Sequence, residues 1–260
     1  MKRERCSVTI ITLNEEKNLR DCLESVRWAD EIVIVDSGST DRTLEIAREF
    51  GCKLLTNPWP GMREQKNLAS SAATGPWILN LDADERISRE LADEIQAHLA
   101  EARFDGYSLP RKNIFLGKWM RHGGWYPDTT LRLFHKDHGA FGGINPHSNV
   151  QLPPCARTTI LTHPLIHFTY YTLEQYVRKQ YSYADAAARE LFDSGKLRSV
   201  SLPRIFIKTA WKFIETYFIK RGFLDGTHGL IVALGATFGA YLKQARIWEL
   251  DRASKKDSTG

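Results

Sequence analysis

The chain reads as an α/β protein: a Rossmann-like, mostly parallel sheet flanked by helices, with a helical subdomain at the C-terminal end. Three observations carry that reading. Short β-branched runs alternate with amphipathic helical stretches through the first part of the sequence. Each run ends in a polar or acidic turn. Beyond Thr172 the apolar spacing is helical only.

Taken in order, Val8 to Leu13 is an apolar, β-branched run of strand length, and apolar residues then recur at Leu19, Cys22, Leu23 and Val26, on one face of a helix. The cycle repeats with Ile32 to Val35 ending at Asp36. A turn over Ser37 to Asp41 and a helix carrying Leu44, Ala47 and Phe50 follow. Lys53 to Thr56 makes a third short strand. After the Pro58-Trp59-Pro60-Gly61 turn, a helix through Gln65, Leu68, Ala69 and Ala72 leads to a fourth strand, Trp77 to Leu81. In a parallel sheet of this kind, Thr12 to Glu15, Asp36 to Gly38 and Asp82 to Asp84 collect at one carboxyl edge, where open α/β sheets bind ligands.

Asp82 and Asp84, with Glu85 directly after them, are the most informative residues at that edge. Two hard oxygen ligands suit a divalent cation and a phosphate. Carboxylates are also ordinary helix caps, and a helical pattern begins near Ser88. Asp36 is by itself a turn former, and Asn14 or Glu15 a cap. Their convergence on one edge outlines a nucleotide pocket with a metal site.

From about Gly106 the pattern shifts to shorter strands, Tyr107 to Leu109 and Leu131 to Phe134. Between them Gly117 to Asp128, rich in Trp, Tyr, His and Gly, is either an irregular loop or a surface for a sugar or base. Helices are expected at 173–194, 203–221 and 229–250, with Pro203 in a first turn. The second places Ile207, Ala210, Trp211, Ile214, Tyr217 and Phe218 together beside Lys208 and Lys212. That face suits either a membrane interface or packing in a helical subdomain. Gly235 and Gly239 permit close helix approach. The expected division is 1–105, a nucleotide-binding half; 106–170, acceptor-side strands and loops; 171–252, helices; and 253–260, a disordered tail.

Hydrophobic residues at 42% and charged residues at 26% of 260 exclude a disordered or fibrous protein without choosing a function. The net charge of +5 points to an anionic partner, and it is local: Lys196 to Phe223 holds seven Lys or Arg against Glu215 alone. These basic residues alternate with apolar ones, which argues against nucleic acid as a partner. Four scattered cysteines have neither zinc-ligand nor disulfide spacing and imply a reducing compartment. The apolar stretch after the basic start ends at Asn14-Glu15-Glu16, too short for a signal peptide, so a cytoplasmic protein is expected. The uncharged run Gly229 to Tyr241 falls short of a bilayer span.

Five stretches in order, VTIITLNEEKNL from Val8, EIVIVDSGSTDRT from Glu31, REQKNLASSAATGPWILNLDADE from Arg63, GGWYPDTTLRLF from Gly123 and RGFLDGTHG from Arg221, make the chain similar to family 2 glycosyltransferases of the GT-A fold. Within these it resembles the bacterial lipopolysaccharide-core β-glycosyltransferase group. The resemblance implies inverting transfer of a sugar from a nucleotide-diphosphate donor to a saccharide acceptor. It implies that Thr12, Asn14 and Glu15 line the nucleoside pocket and Asp36 contacts base or ribose. Lys66 then approaches the donor, Asp82 sits near ribose and metal, and Asp84 binds Mg²⁺ or Mn²⁺. Arg132 is either a phosphate contact or a surface ion pair.

Where many relatives have a His-Glu pair this chain has Asn145-Pro146-His147-Ser148, so the usual general base is missing. Asp128 and His147 are the remaining candidates, Asp128 being favoured if an aromatic pocket desolvates it. The competing readings are a nucleotide-sugar-binding protein that has lost its base, and a phosphatase, which would carry its nucleophilic aspartate on the first strand rather than the fourth. The basic aromatic helix adds a lipid-linked saccharide acceptor, an anionic membrane surface as partner, and a peripheral location on the cytoplasmic face of the inner membrane.

Overall fold

The computed structural model describes residues 3–101, 103–143 and 148–257. It divides into two compact units, Met1–Lys112 with Asp128–His167, and Asn113–Pro127 with Phe168–Gly260.

In the first unit the chain forms β1 (Cys6–Thr12), α1 (Leu19–Ser25), β2 (Glu31–Asp36), α2 (Thr43–Glu49), β3 (Lys53–Thr56), α3 (Met62–Ala72) and β4 (Trp77–Asp82). The strands lie in the order β3-β2-β1-β4, all parallel. Both faces are covered, which is why β1 is buried almost without interruption although Ser7, Thr9 and Thr12 are polar. Alternation still divides the faces. Ile34, Leu79 and Leu81 pack with Leu19 and Leu23 of α1 and Ile46 of α2, whereas Val33 and Ile78 turn to Ala73, Phe134 and Phe141. The register sets Thr12 opposite Asp36 and Ile11 opposite Asp82, so the polar ends of three strands share one edge.

After Asp82 a two-residue turn leads into β5 (Glu85–Arg86), and α4 (Arg89–Glu101) begins only at Arg89. Glu85 is therefore a strand residue rather than a helix cap. The sheet continues through β6 (Gly106–Phe115), whose C-terminal end belongs to the second unit, and β8 (Thr129–His135), after β7 (Lys118–Trp119) of that unit. Here the sheet becomes antiparallel: β8 pairs with β4 and β6. Short strands β9 (Ala140–Gly142) and β10 (Asn149–Gln151) pair with each other, β11 (Thr158–Ile160) pairs with β6, and β12 (Leu165–Tyr170) pairs with β5. That last pairing sets His167 opposite Glu85.

In the second unit β7 folds back on the end of β6 through Leu116-Gly117, both at positive φ as a two-residue hairpin turn requires. Helix α5 (Leu173–Asp193) starts with a reciprocal cap between Thr172 and Gln175. Helix α6 (Leu202–Phe213) passes into a π-helical segment, Ile214–Ile219, so the second expected helix is not uniform. Arg221 at φ 55° reverses the chain into a 3₁₀ turn, Gly222–Asp225, and α7 runs Gly226–Asp257, starting three residues earlier than the apolar run indicates. The Gly235 spacing is explained by packing. A Cβ there would stand 2.2 Å from the ring of Tyr176 of α5, whose hydroxyl donates to Val232 O at 3.0 Å. The α/β class, the helix-flanked sheet and the C-terminal helices expected from the sequence are all present.

Candidate active site at the sheet edge

At the end of β2 the Asp36 carboxylate is fully buried and accepts four hydrogen bonds. They come from Thr12 Oγ1 (2.8 Å), Ser39 Oγ (2.5 Å), and the amides of Gly38 (2.9 Å) and Ser39 (2.8 Å). Burial pushes its pKa up, but the Ser39, Thr12 and Gly38 donors outweigh burial and hold it below the ordinary aspartate value. Asp36 is thus the brace of the turn. Asn14, at φ 56°, receives the Thr40 amide on its side chain at 2.8 Å and donates its own amide to Ser39 Oγ. Gln65 of α3, which the sequence reading placed only in a helix, donates to Ser37 Oγ (2.9 Å) and Asn57 O (3.0 Å), tying that turn to the loop after β3.

The end of β4 is a charged cluster. Lys66 Nζ lies 2.8 Å from Asp82 Oδ1, and Arg132 Nη2 lies 2.8 Å from Asp82 Oδ2 and 2.5 Å from Glu85 Oε1. Arg132 also donates to Asn80 Oδ1, and Asn80 donates to Thr9 O. Burial acts against the Asp82 anion, yet Arg132 and Lys66 hold its pKa well below the usual carboxylate range. Glu85, wholly buried, is pushed up by burial and by Asp82 despite Arg132. Sequence reasoning expected Arg132 to face a phosphate or the surface. Its guanidinium is buried and engaged by the acidic pair, and only Nε lacks a partner.

Asp84 differs from Asp82. Its Oδ2 lies 3.5 Å from His167 Nε2, on the strand paired with β5. Burial opposes the imidazolium, but the hydrogen bond and charge of Asp84, with Glu85, raise the His167 pKa above its ordinary value. Glu15 is also nearby: burial raises its pKa, and the charges of Asp84, Asp41 and Asp82 raise it further. An accumulation of anions that makes a neighbouring carboxyl resist ionisation is an environment a cation relieves. Among the described residues no three carboxylates, imidazoles or thiolates form a ready cage. A carboxylate and an imidazole nonetheless fit a divalent ion that takes its remaining ligands from a diphosphate and water. His167 was missed because the one signal it gives, a polar residue in the apolar strand Leu165–Tyr170, reads as an ordinary solvent-side position.

Asp128 lies in the first unit, where Arg111 Nη2 approaches its Oδ2 at 2.7 Å and the side chain keeps 32% of its exposure. The expected desolvated aromatic setting is replaced by a partly exposed ion pair. His147 lies outside the described residues. In the second unit, buried Asp225 accepts from the amides of Arg121 (3.1 Å) and His122 (2.8 Å) and faces His122 Nδ1 at 3.2 Å. Neither residue was singled out from the sequence, because the pair is separated by about a hundred residues.

Residues 7–150 match the family model described as glycosyl transferase family 2. An uncharacterized glycosyltransferase of Rickettsia typhi is 30% identical over 97% of this chain and 89% of its own length. The lipopolysaccharide core biosynthesis glycosyltransferase LpsC of Rhizobium meliloti is 30% identical over 94% of this chain and 92% of its own. Among solved structures, S. aureus TarS 1–349 in complex with UDP-GlcNAc aligns at 15% identity and a TM-score of 0.49, covering 97% of this chain and 92% of that one. With residues 7–150 inside the matched family model and relatives 30% identical over most of both chains, the chain belongs to glycosyltransferase family 2.

Proposed function

We propose that the protein transfers a sugar from a nucleotide-diphosphate donor to a saccharide hydroxyl in one inverting displacement. The observation that carries this reading is the shared edge: Thr12, Asp36 and Asp82 end β1, β2 and β4 there, and Asp84 in the turn that follows faces His167 of β12. Asn14, Glu15 and the Asp36-braced turn would receive the nucleoside. Lys66 and Arg132 fix Asp82 so that it meets the ribose in one orientation, and Lys66 adds positive charge on the donor side. Asp84 with His167 would hold Mg²⁺ or Mn²⁺, with Asp82 close by. When bound, that ion supplies Lewis-acid stabilisation of the departing diphosphate. Asp128 and His147 are the proposed proton acceptors for the acceptor hydroxyl.

The acceptor we infer is a lipid-linked saccharide of the cell envelope, as in lipopolysaccharide core assembly, reached from the cytoplasmic face of the inner membrane. The likeness to LpsC and the basic, aromatic α6 support it. No helix among the described residues is long and apolar enough to cross a membrane, so attachment would be peripheral. The division into a nucleotide half (1–105), acceptor-side strands (106–170) and helices from 171 is proposed on the same basis, whereas the disordered tail expected from 253 is helical in α7 as far as Asp257.

The decisive experiment is calorimetric titration with a panel of nucleotide sugars, with and without Mn²⁺, on the wild type and Asp84→Ala. Metal-dependent binding lost in the variant is the expected result; equal affinity would remove Asp84 from the metal. Proton NMR of the transferred anomer reads inversion directly. The ion pair of Asp128 with Arg111 favours one second reading, a protein that binds the donor without transferring it. Donor binding with no turnover on any saccharide acceptor would select it.

A further inference from the structure

Within the second unit, α5, α6 and α7 enclose a cleft of about 350 Å³. Lys208 and Lys212 of α6 and Lys243 of α7 line it, with Trp211 and Gln180. Gly239 of α7 lets the Gln180 side chain lie against that helix, since a Cβ there would stand 3.0 Å from Gln180 Oε1. Lys212 is paired with Glu215 at 3.0 Å. Lys208 and Lys243 have no carboxylate partner among the described residues, and the Gln180 amide has no hydrogen-bond partner there. Two unneutralised ammonium groups, an amide and an indole thus converge on one concavity, a donor set that recognises phosphate oxygens.

Trp211 also belongs to an apolar stripe that continues onto the surface. Ile207, Trp211, Ile214 and Phe218 follow at spacings of four, three and four, and keep 61%, 53%, 43% and 55% of their exposure. Packing within the unit leaves roughly half of each uncovered. Aqueous solvent disfavours such a stripe, and the basic residues beside it make a protein partner less suitable than an anionic lipid layer.

We propose that this cleft docks the phosphate-bearing headgroup of an anionic lipid, with the adjoining stripe of α6 and the π-helical segment seated in the interfacial layer. Such a site would hold the enzyme where a lipid-linked acceptor lies, and in that respect it rests on the proposed function. Adding a phosphate at the cleft and burying the stripe are mutually supporting: the lysines stop the helix at headgroup depth, while the indole spans the polar and apolar layers.

The test is flotation of the full chain with phosphatidylcholine vesicles and with vesicles also containing phosphatidylglycerol. The wild type should float with the anionic vesicles alone, and Lys208→Gln/Lys243→Gln should weaken that partitioning on the order of 10-fold. Trp211→Ala should weaken it as well, and thermal melts should show both variants folded. Inorganic phosphate separates the sources: protection by free phosphate without vesicle binding overturns the lipid site, as does equal flotation of wild type and the lysine variant. A self-associating wild type that ignores vesicles overturns it in favour of a second copy of the chain. Nucleotide-sugar titration of the same variants keeps the two readings apart. Intact donor binding with lost flotation upholds the surface, and flotation without any donor binding counts against sugar transfer while leaving the surface standing.

Discussion

Asp82 faces two cations and Asp84 faces an imidazole, although one residue separates them. The difference arises because Asp82 is the last residue of β4, within reach of α3 and β8, whereas Asp84 stands in the turn before β5, whose partner strand β12 carries His167. Arg132 is the key to the first environment, because its buried charge answers both Asp82 and Glu85. Arg132→Met should therefore cost on the order of 3–5 kcal/mol in urea unfolding, as its removal leaves the buried Glu85 uncompensated while Lys66 still answers Asp82. A loss well below that range would mean that Glu85 takes up a proton at no cost. Asp128 is tested by turnover: if it accepts the proton, Asp128→Asn abolishes transfer and leaves donor affinity intact. Near-normal turnover would return the role to His147.

At the scale of elements, two of the three glycines of the RGFLDGTHG stretch are explained by contact, and the third, Gly226, by its φ of 63°. A Cβ on Gly229 would stand 1.8 Å from Gly222 O, and one on Gly222 would stand 2.7 Å from Thr216 O. The π-helical segment, the 3₁₀ turn and α7 pack backbone to backbone here, and Asp225 between the glycines anchors the Arg121-His122 segment. Gly229→Ala should lower stability by roughly 1–3 kcal/mol or more through overpacking, seen as a lower Tm. An unchanged Tm would show that α7 can slide at its start. The motif reads as a signature in the sequence, and its cause is steric.

At the scale of the whole molecule, several carboxylates share one dependence on pH. Burial raises Asp36, Glu31 and Glu94, but hydrogen bonds to Ser39, to Ser7 and to the Thr162 amide respectively outweigh it, and all three end below their ordinary values. A depressed folded-state pKa stabilises above the unfolded value and is lost as pH falls through the folded one. The contribution of these three groups should thus be level above about pH 5 and be lost below about pH 4, near the ordinary carboxylate values. Asp36→Asn should be less stable at pH 7 and show a shallower acid limb in urea titrations; an unaltered limb would mean that the Asp36 turn persists in the unfolded chain.

The local pattern of residues was enough for the strands, the helices and the polar edge, since these depend on periodicities of two and 3.6 and on turn chemistry near in sequence. It also placed Asp82, Asp84, Asp36 and Asn14 at that edge. What it could not give was the set of partners: His167 for Asp84, Arg132 for the Asp82 and Glu85 pair, Arg111 for Asp128, and Asp225 for His122. These join residues from 17 to 103 positions apart through strand pairing or loop docking, and no local signal encodes such a pairing. The chain by itself determined the α/β class and the chemistry available along one edge of the sheet. The tertiary structure decided which carboxylates are neutralised and which face an imidazole, because charge balance in a buried site depends on spatial neighbours and not on sequence neighbours.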